Sequence, residues 1–103
     1  MRMTFDAEAC AAYIQLAPKI TTVDDSWPLD GFIAGIDDVI VDLDADRNVL
    51  GVEILGKDGD GPQSILAAIA DESIANALAA EGFNCLELRG NPGITIQSID
   101  RRL

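Results

Sequence analysis

Residues 38–55, Asp38-Val39-Ile40-Val41-Asp42-Leu43-Asp44-Ala45-Asp46-Arg47-Asn48-Val49-Leu50-Gly51-Val52-Glu53-Ile54-Leu55, decide the fold. Val39, Val41 and Leu43 alternate with other residues, and so do Leu50, Val52 and Ile54, which is the period of half-buried strands. Pairing 43 with 50, 41 with 52 and 39 with 54 puts all six on one side of a hairpin. The loop left over is Ala45-Asp46-Arg47-Asn48, a length commonly built on a type I turn. A slip of one residue would send the two apolar sets to opposite faces, so the register is strongly specified.

Upstream of the hairpin, Met1, Met3 and Phe5 alternate with Arg2, Thr4 and Asp6, and Ala12, Ile14 and Leu16 alternate with Tyr13 and Gln15. These predict two antiparallel strands joined by a turn over residues 6–9, with the Asp6 side chain capping its own backbone. A helix over 6–16 is the competing reading, because the stretch is rich in Ala. Pro18 leaves such a helix too little room. Lys19 to Val23 is β-prone and reads as a third strand. Between Asp24 and Asp37 the periodicity is lost at Pro28, Gly31 and Gly35. Trp27, Leu29, Phe32, Ile33 and Ile36 make that segment a loop folded back over one sheet face, and an exposed Trp27 would mark a partner surface.

Downstream the period changes. Pro62 suits a first helical position, and Leu66, Ile69, Ala70, Ile74, Ala77 and Leu78 recur at helical spacing. Gly82 stands where a C-terminal cap is expected, and Asp71 is placed to cap the second of two short helices. Phe83, Cys85 and Leu86–Leu88 read as a strand, Asn91-Pro92-Gly93 as a turn, and Ile94 to Ile99 as the last strand. The expectation is a single α+β domain over 1–103. It comprises an antiparallel sheet of four strands in hairpins in a β-rich part over 1–55, a helix or helix pair packed on one face over 62–81, and a C-terminal β-hairpin over 83–99 that either joins the first sheet or forms a second small layer.

Composition narrows the function classes. The chain has 103 residues, is 49% hydrophobic and carries a net charge of −11. A chain of this length buries about 65% of its unfolded surface, enough for a core without metals or disulfides. Residues 24–60 hold eleven acids against Arg47 and Lys57, so the middle of the chain repels phosphate backbones and suits a basic protein or a cation. No nucleic-acid partner is expected. No window has the length and apolarity of a membrane span or a signal peptide, which points to the cytoplasm, with Cys10 and Cys85 as thiols. There is no histidine, so neither a zinc site nor a Cys–His nucleophile can be assembled from conventional parts.

Three motifs invite chemistry. Asp42, Asp44, Asp46 and Glu53 have the spacing of a calcium-binding EF-hand loop, with Val49 at its hydrophobic eighth place. Arg47, however, stands where the sharp turn needs Gly, and the flanks are strands where the motif requires helices. In the hairpin register Glu53 lies diagonally from Asp42, roughly 7–8 Å away at Cα. Carboxylate pairs occur at Asp24/Asp25, Asp37/Asp38 and Asp58/Asp60, all in turns or at strand ends where Asp is common for capping reasons. Residues 56–61, Gly-Lys-Asp-Gly-Asp-Gly, faintly resemble a phosphate loop, but the lysine is misplaced and the aspartates repel a phosphate. No catalytic, cofactor-binding or metal-binding residue is therefore expected.

Met3-Thr4-Phe5-Asp6-Ala7-Glu8-Ala9 with Ala12-Tyr13-Ile14-Gln15-Leu16, and Val41-Asp42-Leu43-Asp44 through Gly51-Val52-Glu53-Ile54-Leu55, resemble the small bacterial family called domain of unknown function 2283. The resemblance covers residues 1–16 and 39–55. The chain departs from the pattern at Cys10 or Ala11 in place of an acid, at Ala12 in place of Leu, and at Arg47 in place of the turn Gly. Its spacer over 17–38 is long, and residues 60–103 lie outside the pattern. The resemblance implies a small β-rich fold without an established activity. Through members neighbouring small toxin-like proteins, it also implies an antitoxin-like neutralising role.

The expected function is that of a non-enzymatic cytoplasmic protein-binding module, without cofactors, acting on a basic protein partner. A second expectation is a structural homodimer that pairs sheet edges. A third is an enzyme or small-ligand binder with its pocket near Trp27.

Overall fold

The protein was analysed as a computed structural model, which describes residues 1–19, 22–57, 61–90 and 92–99. Six strands form one mixed sheet: β1 (Arg2–Asp6), β2 (Ala11–Gln15), β3 (Asp25–Pro28), β4 (Ile36–Leu43), β5 (Val49–Gly56) and β6 (Thr95–Ile99). Their spatial order is β3-β4-β5-β2-β1-β6. Two helices, α1 (Gln63–Ala70) and α2 (Ser73–Ala80), and a 3₁₀ turn at Leu86–Leu88 lie between β5 and β6.

The predicted hairpin forms the centre of the sheet. Val39 pairs with Ile54 and Val41 with Val52, as the alternation requires, but Leu43 pairs with Val49 and not with Leu50. The turn sets the register at its own end of the hairpin, and Leu50 is taken up as an extra residue between the Leu43–Val49 and Asp42–Gly51 pairs. Asp44 N–H donates to Asn48 O at 3.1 Å and Arg47 N–H donates to Asp44 O at 3.0 Å. Arg47 has φ +65°. The loop is therefore three residues long, a type I turn closed by a left-handed residue that makes a bulge. The usual occupant of that position is Gly, and here it is Arg47.

β1 and β2 pair antiparallel, with Met3 opposite Ile14 and Phe5 opposite Ala12. The Asp6 carboxylate accepts the backbone N–H of Glu8 at 3.1 Å, the expected capping of that turn. The third strand differs from expectation. Lys19, Thr22 and Val23 are not in a strand, and Ile20 and Thr21 lie outside the described residues. The strand falls instead at Asp25–Pro28, pairing antiparallel with β4, Trp27 opposite Val41. A strand at a sheet edge need not alternate, and Pro28 is tolerated there because its missing N–H breaks no interior ladder.

The helix pair forms as predicted, divided at Asp71 and Glu72. Pro62 precedes the first helical residue by one position, and the Asp71 carboxylate accepts the N–H of Ser73 at 2.9 Å. At the far end Gly82, with φ +91°, donates to Ala79 O at 3.0 Å while Phe83 donates to Leu78 O at 2.8 Å. Together these bonds make a Schellman cap.

The C-terminal hairpin does not form. Residues 83–85 are irregular and Leu86–Leu88 is a 3₁₀ turn. Phe83, Cys85 and Leu88 are buried and Leu86 is exposed, a spacing that no flat strand presents on one face. The last strand joins the main sheet, parallel to β1, with Met3 opposite Ile96. Two helices between β5 and β6 make a crossover connection, and such a connection returns the chain in the same direction. Asn91, Arg101 and Arg102 lie outside the described residues.

The core lies between the sheet and the helices. Met3, Phe5, Ala12, Ile14, Val39, Val41, Val52 and Ile54 face inward and meet Ile65, Ala68, Ile69, Ile74, Ala75 and Leu78. A fully buried residue such as Ile54 contributes about 1.5–3 kcal/mol. Within residues 29–36, Leu29 and Ile33 pack on this core while Phe32 is exposed, so the segment covers the sheet only in part.

Candidate functional site

Strand alternation that sends the core residues inward sends their neighbours to the opposite face. Among the described residues no helix lies on that outer face: α1 and α2 pack on the side of Val39, Val41, Val52 and Ile54. Across its middle run Pro28, Ile40, Glu53, Tyr13, Thr4 and Gln97, one from each strand. On one side of this row lie Ser26, Asp42, Gly51 and Gln15. On the other lie Asp38, Leu55, Ala11, Asp6 and Ile99. Neighbouring strands are about 4.8 Å apart, so Asp38 and Asp42 flank a patch of Ile40, Tyr13, Ala11 and Leu55 with Glu53 at its middle, while Asp6 is buried at its border. Arg2 is the one cation that the strand pairings among the described residues place on this face.

Gly51 shapes this surface. A Cβ at this position would collide with the ring and hydroxyl of Tyr13, which crosses β5 there. The Tyr13 hydroxyl donates to Asp42 Oδ2 at 3.1 Å, and the Ser26 hydroxyl donates to Asp42 Oδ1 at 2.8 Å. Burial, followed by the negative charge of Asp42, its hydrogen bond and Glu53, raises the Tyr13 pKa well above its ordinary value. Tyr13 is thereby fixed as a neutral, oriented phenol over the acidic strip. Thr4, Asp6, Ala11, Tyr13, Glu53, Leu55 and Ile99 line a shallow depression of about 380 Å³ on the same face.

The residues with calcium-loop spacing are not brought together. Asp42 is engaged by Tyr13 and Ser26, and Glu53 lies opposite Ile40 and Tyr13. Asp44 turns into the hairpin loop, where it accepts the N–H groups of Asp46 at 2.9 Å and Asn48 at 2.8 Å and the Asn48 side-chain amide at 3.1 Å. These bonds, Asn48 foremost, lower its pKa. Among the described residues no group of three or more potential ligands has an arrangement suited to a metal ion.

The other candidates are dispersed as well. Asp37 pairs with Lys57 at 3.0 Å on the surface, while Asp38 accepts the Val39 N–H at 3.0 Å. Asp24 donates its N–H to Leu43 O at the entry to β3. Asp58 and Asp60, with most of the glycine-rich loop, lie outside the described residues. Both cysteines are buried; Cys10 donates to Lys57 O at 3.0 Å, and burial aided by Glu87 pushes the Cys85 thiol up to about 11.

Trp27 is 39% exposed. Its ring meets Phe83 edge-on at 6.4 Å, and the Arg47 guanidinium stands 5.6 Å from its centroid. Sequence reasoning did not single out Tyr13; the signal available was an outward Tyr two positions along a neighbouring strand from an outward Gly.

A family model described as protein of unknown function (DUF2283) matches residues 2–56, just over half of the chain. The chain belongs to the DUF2283 family. The matched segment contains β1 to β5, so the DUF2283 unit supplies five of the six strands and most of the outer face. Both helices and β6 lie beyond it. No curated protein and no solved structure gives a significant match. No helix among the described residues is long and apolar enough to cross a membrane.

Proposed function

We propose that this DUF2283 protein is a non-enzymatic, cytoplasmic protein-binding module whose outer sheet face docks a basic partner, in the manner of an antitoxin-like neutraliser. The observation that carries the reading is the outer face, free of helices among the described residues, on which Asp38, Asp42 and Glu53 stand among Tyr13, Ile40 and Leu55. Apolar side chains interspersed with charge of one sign suit a partner with aliphatic residues and complementary Lys or Arg. An oriented Tyr at the centre is the type of residue that dominates interface energetics. The proposed module uses no cofactor and reads no nucleic acid, whose phosphates this face repels.

The test is capture from the native host, with attention to products of adjacent genes, followed by reconstitution from purified components. The partner should be basic and stoichiometric. Its affinity should fall with rising salt and drop at least tenfold in Glu53→Arg and Asp38→Arg. A partner that binds both variants as tightly as the native chain would refute the reading.

A second reading, a small-ligand site, draws on one observation. Beside Trp27 an open groove of about 340 Å³ is lined by Leu16, Arg47, Val49, Phe83, Cys85 and Glu87, among others. A metabolite held there would change Trp27 fluorescence, and a silent response across a metabolite panel would remove this alternative.

A further inference from the structure

The two rims of the sheet are built differently. β3 is a four-residue strand with Asp25 at one end and Pro28 at the other, and both residues blunt an edge against strand addition. β6, Thr95-Ile96-Gln97-Ser98-Ile99, ends the sheet on the opposite side, with all five residues exposed. It carries no charge, no proline and no bulge. Pro92 and Ile94, which lead into it, open with Leu66, Ile69 and Ala70 of α1 onto an apolar groove of about 280 Å³. Ile96, 38% exposed, lies on the same inner side. Residues 92–99, which form this rim and lead into it, contain no ionisable side chain.

We propose that β6 is a homodimerisation edge, on which a second copy of this chain adds its own β6 antiparallel about a two-fold axis through Gln97. Charge selects the occupant. Two chains of net charge −11 repel one another through the outer face and meet without repulsion only along an uncharged border. The strand is also self-complementary. With Gln97 opposite its own copy, Thr95 faces Ile99 and Ile96 faces Ser98, so the pairs on either side of the axis each join an isoleucine to a hydroxyl side chain. A two-fold axis perpendicular to the sheet places the two grooves at Leu66, Ile69 and Ile94 at opposite ends of the paired strands, and the inward Ile96 of each copy packs beside Ser98 of the other, adding side-chain contact to the main-chain hydrogen bonds. It also leaves both outer faces on one side of a continuous sheet. The docking surface proposed above would then be doubled, although the dimer stands or falls independently of that reading.

Sedimentation of the full chain over a range of concentration and salt tests the proposal. The mass should double, and association should strengthen as salt screens the repulsion. Gln97→Lys should restore the monomer while leaving the far-UV circular dichroism and Trp27 fluorescence unchanged. Gln97→Cys treated with diamide should cross-link, because antiparallel partners sit with Cα atoms about 4.5–5.5 Å apart, within disulfide reach. Asp25→Cys, on the opposite rim, should not. A chain that remains monomeric at high concentration and high salt overturns the proposal, as does a dimer indifferent to Gln97→Lys or a Gln97→Cys chain that fails to cross-link.

Discussion

The Tyr13 hydroxyl reaches over Gly51 to Asp42, joining β2 to β4 across the strand between them, with a donor–acceptor distance of 3.1 Å. Gly51 is a weak residue for a strand interior, and the Tyr13 ring fills the space that its missing side chain leaves. The two residues therefore form one unit. Tyr13→Phe should cost about 1 kcal/mol, the net value of a hydrogen bond. Gly51→Ala should cost about 1–3 kcal/mol because the added methyl displaces the ring. In a Tyr13→Ala background the Gly51→Ala penalty should largely vanish. Urea denaturation of the four variants measures this coupling, and additive losses would refute it.

Alkaline pH should weaken the fold in two stages. The pKa of Cys85 is raised from 9.0 to about 11, and that of Tyr13 is raised above 10.0. Raised folded-state values mean that the unfolded chain loses these protons first, so unfolding is favoured as pH climbs. The Cys85 contribution is complete below pH 9.0 and declines as pH rises through about 11. The Tyr13 contribution is complete below pH 10.0 and declines above it. Denaturation midpoints against pH should fall through this window, less steeply in Cys85→Ala at its lower end and in Tyr13→Phe at its upper end.

Arg47 occupies the turn position that glycine usually fills, and its left-handed φ of +65° costs a non-glycine residue about 1–2 kcal/mol. Its guanidinium regains about 0.5–1 kcal/mol over the Trp27 ring. Arg47→Gly should therefore leave stability unchanged or raise it by up to about 1 kcal/mol. Arg47→Ala keeps the strain and loses the ring contact, so it should be destabilising. Thermal denaturation followed by Trp27 fluorescence distinguishes the two signs.

The family segment alone should not fold as a monomer. Residues 1–57 contain β1 to β5, but they leave Val39, Val41, Val52, Ile54, Ile14 and Met3 without Ile65, Ile69, Ile74 and Leu78 above them. Exposed apolar patches on this scale drive association. The truncated chain is expected to aggregate or to melt without a cooperative transition; a monomeric two-state fragment would contradict this.

How much of the fold was legible follows from where each signal resides. The central hairpin, the division of the helices at Asp71 and the cap at Gly82 are written in local patterns: alternation, a side-chain acceptor and a missing Cβ. The shift at Leu43 depends on the three-residue turn, whose left-handed position holds Arg47, and on the extra residue Leu50, neither of which alternation reports. β3 lacks alternation because it is an edge, and the direction of β6 is set by the helices between it and β5, a long-range consequence that no window of residues contains. Of the candidate surface, the outward carboxylates Asp42 and Glu53 followed from the hairpin register. The Tyr13 bridge required knowing that β2 lies beside β5, a pairing between residues far apart in the chain.

The parallel pairing of β1 and β6 has a mechanical consequence. Met1 lies at the start of one strand and Ile99 at the end of its neighbour, both strands running the same way. A force applied between these residues would slide the two strands past each other and load their rungs together, where an antiparallel pair would open one rung at a time. Such a lock resists pulling until several bonds fail at once. Drawn out by its ends in a force experiment, the chain should yield in one abrupt event that begins with the separation of β6 from β1.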